Sequence, residues 1–85
     1  MEMISEMWVP KGSHWIGKTA SWVEKKYDVV CRPSRMFAHI TFNNKEDIIQ
    51  EGWYFELHGE WDKVGKARSD MFNGEKGNKV WEGLK

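Results

Sequence analysis

The spacing of apolar positions changes several times along the chain, and each change marks a predicted element. Met3, Ile4, Met7, Trp8 and Val9 enclose polar Ser5 and Glu6, and Pro10 stops the run, which predicts a first strand over Met3–Val9. Lys11-Gly12-Ser13 is turn chemistry. Thr19 is a good N-cap, and Ala20, Val23 and Tyr27 then recur at i, i+3 and i+7, with Ile16 one turn earlier. This spacing predicts a short helix, with Lys25 and Lys26 suited to its negative C-terminal end.

Tyr27–Cys31 is a short β-branched run ended by the turn residues Arg32-Pro33-Ser34. From Met36 to Phe42 the chain alternates: Met36, Ala38, Ile40 and Phe42 share one side, and Phe37, His39 and Thr41 the other. The intervening turn is short, so these two runs are expected to pair as an antiparallel hairpin. Asn43-Asn44-Lys45 breaks the pattern, and Glu46–Gln50 reads as a loop whose two isoleucines tuck under the sheet. A further strand follows, Trp53–His58, closed by Gly59. Trp61, Val64, Arg68, Met71 and Phe72 then take helical spacing, with Asn73-Gly74 as the expected stop. The order β-α-β-β-β-α predicts one α+β domain over residues 1–74, a mostly antiparallel sheet of about four strands with both helices to one side. Residues 75–85 hold only Val80, Trp81 and Leu84 to dock them, and are expected to pack loosely.

Composition narrows the function classes. At 85 residues the chain supports one small core. Its 13 basic and 13 acidic side chains cancel, so no global field would gather nucleic acid. Six tryptophans are many for this length: they supply a core of few large side chains, with a surplus for an interface. Cys31 is the sole cysteine, which excludes an internal disulfide and a Cys-based zinc site and fits a reducing cytoplasm. No stretch has the apolar length of a membrane span, and the acidic start Met1–Glu6 is unlike a signal peptide.

One stretch matches a chemical motif residue for residue. Gly12-Ser-His-Trp-Ile-Gly17-Lys18-Thr19 fits G-x-x-x-x-G-K-[ST], the phosphate-cradling loop of nucleotide hydrolases, between a predicted strand and a predicted helix. Such a loop needs free N–H groups for phosphate, a lysine for the terminal phosphates and a hydroxyl for magnesium. The surrounding pattern argues against it. Phosphoryl transfer needs a carboxylate on a neighbouring parallel strand and stacked β-α-β units, whereas here a hairpin is predicted. Trp15 and Ile16 inside the loop read as core anchors.

A second reading covers more of the chain. Val9-Pro-Lys-Gly-Ser-His-Trp-Ile-Gly-Lys-Thr19, the Tyr27-Asp-Val-Val-Cys-Arg32 run, and Ile48-Ile-Gln-Glu-Gly52 leading to a strand that ends in Gly59 resemble the TrkA-C (RCK C-terminal) regulatory domain of potassium-transport proteins. The resemblance spans residues 5–72, with Trp53 standing where that family usually has Asp. It implies a non-enzymatic domain that dimerises and senses small ligands such as cyclic dinucleotides or divalent cations. Carried over by position, the anion-binding groups would be Ser13, Lys18, Arg32 and Arg35. Solvated side chains and ordinary turn residues are the plain alternative for each.

Carboxylates at Glu56, Glu60 and Asp62 gather around the predicted end of the last strand and start of the last helix, an oxygen-rich set that would suit calcium or another divalent cation. Asp70, Asn73 and Glu75 form a second acidic turn without the spacing of an EF-hand, and Glu24, Asp28, Glu46 and Asp47 could add oxygens. His14, His39 and His58 are a conceivable zinc triad, with independent half-buried histidines as the alternative. The expectations are therefore a small-ligand or cation-binding domain, a ligand-free interaction module acting as a homodimer or on a separate protein, and last an ATP-binding enzyme.

Overall fold

The structure is a computed structural model that describes the backbone of residues 1–84 and the side chains of residues 1–72. Its elements run β1 (Glu2–Trp8), α1 (Ala20–Tyr27), β2 (Val30–Pro33), β3 (Tyr54–Glu60) and α2 (Trp61–Leu84). The strands form one sheet in the order β1-β3-β2, antiparallel at both junctions. β1 and β2 therefore run in the same direction, joined through α1 with β3 inserted between them: a split β-α-β unit. α1 packs on β2 and α2, while α2 packs on β1 and β3, so both helices cover one face of the sheet. The α+β class, the antiparallel sheet and the pair of helices are as expected; the sheet has three strands instead of about four.

The missing strand is Met36–Phe42. Those residues form turns, and Met36 is almost wholly exposed. The hairpin expected with β2 does not form although the outer edge of β2 is open, because Pro33 ends that strand without an N–H to donate and the chain turns away at Ser34. Ser34 closes the segment locally instead: its N–H donates to Thr41 Oγ1 at 3.1 Å, and its hydroxyl accepts from Phe37 N at 3.0 Å. One backbone bond from Tyr54 N to Ile40 O (2.8 Å) and the stacking of Phe37 on Tyr54 (4.0 Å between centroids) lay the segment over the sheet. The predicted 27–31 strand is shifted to Val30–Pro33, because Asp28 takes the left-handed conformation (φ 56°) that ends α1.

The core is built from Val9, Trp15, Ala20, Val23, Cys31, Phe55, Leu57, Val64, Ala67 and Met71, all nearly sealed from solvent. Trp15 stacks on Phe55 at 6.0 Å and lies against Tyr27 at 5.5 Å, filling the space between sheet and helices. α1 follows its prediction: Thr19 Oγ1 accepts from Trp22 N (3.1 Å), and Ala20, Val23 and Tyr27 form the buried face. In α2 the buried stripe is Val64, Ala67 and Met71, and Trp61 points to solvent. Ile49 is buried as expected, whereas Ile48 is half exposed. Backbone helix continues past Asn73-Gly74; a glycine inside a helix costs about 1 kcal/mol but does not forbid it. The expected docking of Val80, Trp81 and Leu84 and the loose packing of 75–85 lie outside the described side chains. Among the described residues, no helix is long and apolar enough to cross a membrane.

Candidate functional site

Most amides of the motif-bearing loop are spent on the protein itself, which leaves few to wrap a phosphate. Five of its eight amides are committed: Ser13 N to Pro10 O, Trp15 N to Ser13 Oγ, Ile16 N to Ser13 O, Gly17 N to Ile49 O and Lys18 N to Trp15 O, all at 3.0–3.2 Å. Thr19 caps α1, and Ser13 Oγ donates to Met71 O at 2.9 Å, tying the loop to α2. Gly12 (φ 82°) and Gly17 (φ 93°) serve the turns that drive Trp15 into the core. Lys18 Nζ sits 5.4 Å over the Trp22 ring. Ser13 and Lys18 are thus part of the packing around Trp15 and Trp22, away from Arg32 and Arg35.

Arg32 and Arg35 do come together, on the sheet face opposite the helices. The two-residue period of β3 sends Phe55 and Leu57 into the core and Tyr54, Glu56 and His58 outward. Register then sets Glu6 of β1, Glu56 of β3 and Arg32 of β2 in one row across the sheet. Glu56 is only 4 % exposed although it lies on the outer face. His58 Nε2 lies 2.8 Å from its Oε1, and Arg35 Nε donates to its Oε2 at 3.2 Å. These two partners, His58 foremost, hold the carboxyl below the usual carboxylate range. A carboxylate acceptor requires the proton on Nε2, so Nδ1 is the open nitrogen of a neutral His58.

Glu6 has a partner of its own, as Ser34 Oγ, itself buried, donates to Glu6 Oε1 at 2.6 Å. The Arg32 side chain is exposed and makes no hydrogen bond or ion pair with any described residue. Ile4, Arg32, Pro33, Arg35, Glu56 and His58 line an open concavity of about 440 Å³. The arrangement offers one unpaired guanidinium and a second, largely exposed one that spends only its Nε on Glu56. That donor set suits a carboxylate or phosphate.

The carboxylates expected to hold a cation are dispersed. Glu56 is bound by His58 and Arg35, Glu60 faces the Met1 amino group at 3.3 Å, and Asp62 lies among Lys26, Lys63 and Lys66. Among the described residues, no three His, Cys, Asp or Glu side chains converge as a metal cluster, so His14, His39 and His58 are not a triad. Asp70 accepts from the Tyr27 hydroxyl (3.0 Å), Glu24 from Cys31 N and Lys45, Asp28 from Lys63, and Asp47 caps Asn43 and Asn44. Asn73 and Glu75 lie outside the described side chains.

Sequence reasoning had Arg32 and Arg35 as anion ligands and Glu56 as a cation ligand; it did not join them, and it passed over Glu6 and Ser34. The alternation of β1 around Ser5 and Met7 was the available signal for Glu6. Comparison of the chain with protein-family models, with characterised proteins and with solved structures finds no match.

Proposed function

We propose that this chain is a small non-enzymatic binding domain that takes the anionic group of a small ligand on the outer face of its sheet. Arg32 is the primary contact, Arg35 the second, and His58 a third donor when protonated. The observation that carries the reading is the unpartnered Arg32 guanidinium beside a concavity whose floor, Glu56, is already paired with Arg35 and hydrogen-bonded to His58. An anion arriving there meets positive charge that no protein group has cancelled. The resemblance to the TrkA-C regulatory domain supports the same class of function from a separate direction, although Ser13 and Lys18 drop out of the ligand set.

Titration of the labelled protein with inorganic phosphate and with a cyclic dinucleotide, followed by NMR, tests the reading. Shifts at Arg32, Arg35 and His58, with Arg32→Ala weakening binding about tenfold, are expected for loss of one charge-assisted contact. Silence at these residues with both ligands, or shifts confined to Gly12–Thr19, would overturn it.

A further inference from the structure

The two edges of the sheet are built differently. β2 is four residues long, ends in Pro33 and carries Arg32, so its edge is short and guarded. β1 has seven residues with no proline or lysine among them, and it exposes Met3, Ile4 and Trp8. Its only guards are the acidic side chains of Glu2 and Glu6.

The ladder to β3 fixes which backbone groups that edge offers. Val9 N donates to Trp53 O (2.9 Å) and Trp61 N to Met1 O (2.8 Å), so the odd-numbered residues of this stretch face β3. The N–H and C=O groups of Glu2, Ile4, Glu6 and Trp8 therefore point to the open edge, where no described residue pairs with them. We propose that a second copy of this chain pairs antiparallel with that edge, β1 to β1, in a register centred on Ser5, making one continuous sheet from two.

Charge selects the register. Centred on Ser5, Ile4 of each copy faces Glu6 of the other and Glu2 faces Trp8, so no like charges are opposed and the full strand is used. A shift by one step toward either end sets Glu2 against Glu6, or Glu6 against Glu6, which is unfavourable in a cross-strand pair. Strand pairing of this kind forms an isologous two-fold interface, as a closed dimer requires. Both helix layers then lie on one side of the joined sheet, and the two Ile4-walled concavities adjoin at the seam. The inference stands on β1 and holds whether or not the concavity binds an anion.

Sedimentation velocity over a concentration series, combined with NMR amide exchange, tests it. A reversible dimer is expected, with the Ile4 and Glu6 amides becoming protected as concentration rises while Met3, Ser5 and Met7 are protected throughout. Ile4→Pro removes an outward N–H and leaves the β1–β3 ladder intact; it should weaken the dimer about tenfold or more. A chain that stays monomeric at every concentration, or a dimer whose Ile4 and Glu6 amides still exchange freely, would overturn the proposal. The exchange arm is read on the unaltered protein and decides the matter even if the proline variant fails to fold.

Discussion

Alternate residues of one strand do opposite work. On the helix side of β3, Phe55 and Leu57 sit in a dry core where Trp15 fills the space between the layers. On the other side, Tyr54, Glu56 and His58 hold a polar cluster that includes a nearly buried carboxylate. The core face is maintained by shape, with large rings meeting at 5.5–6.0 Å and few polar atoms to satisfy. The outer face is maintained by stoichiometry, each oxygen of Glu56 having its own donor and Arg32 left over. A face that closes its accounts in shape gains stability, whereas one that leaves a charge unmatched is available to a ligand.

The sharpest way to break this contrast is Trp15→Ala. Removing the ring leaves a cavity no neighbour fills, with an expected loss of about 3–5 kcal/mol, enough to unfold a domain this small. Thermal denaturation followed by circular dichroism checks it. Gly17→Ala is expected to cost about 1 kcal/mol: nothing obstructs the added Cβ, so the penalty is the strained φ of 93° alone. Glu56→Gln should cost on the order of 1 kcal/mol at neutral pH by weakening two charge-assisted bonds, with a visible change in the Arg35 Nε resonance. Arg32→Ala is expected to change stability by less than about 0.5 kcal/mol while weakening anion binding about tenfold, the outcome that would most cleanly separate the faces.

Two pH windows extend the comparison. The folded state holds Glu56 below its unfolded value, so its contribution is present above the ordinary carboxylate range and is lost as pH falls through the lowered folded value. On the core side, burial pushes the Cys31 thiol and the Tyr27 hydroxyl each up to about 12. Their protonated forms favour the fold, so that contribution is complete below the unfolded values and fades as pH rises from about 9 towards 12. Thiol reagents at neutral pH should accordingly find Cys31 inert in the folded protein and reactive in denaturant.

What could be read from the sequence was local. Thr19 with Ala20, Val23 and Tyr27 gave α1 with its cap, and the runs at Met3–Val9 and Trp53–His58 gave β1 and β3 to within two residues at each end. Met36–Phe42 misled because alternation reports a half-buried surface, and a hairpin also needs a turn that returns the chain along its neighbour; here Ser34 folds the segment onto itself instead. Gly12–Thr19 misled for a related reason. A pattern specifies residue types, but whether amide hydrogens are free depends on where the chain goes next, and here Ile49 and Met71 return to close the loop. The outer cluster was scattered among three hypotheses because its members lie up to 52 positions apart (58 − 6) and meet only through strand register.

The central strand of the sheet is also its last in sequence, and that order governs when the sheet can assemble. β1 and β2 never touch as neighbours, so once Pro33 has been made there is still no sheet, only two strands awaiting a third. The 20 residues between Pro33 and Tyr54 must be made first, and closing so long a loop carries its entropic cost before any ladder bond repays it. Until β3 arrives, β1 has no strand partner on either edge, and an unpaired strand of this kind is the segment through which an unfinished chain is most exposed to aggregation.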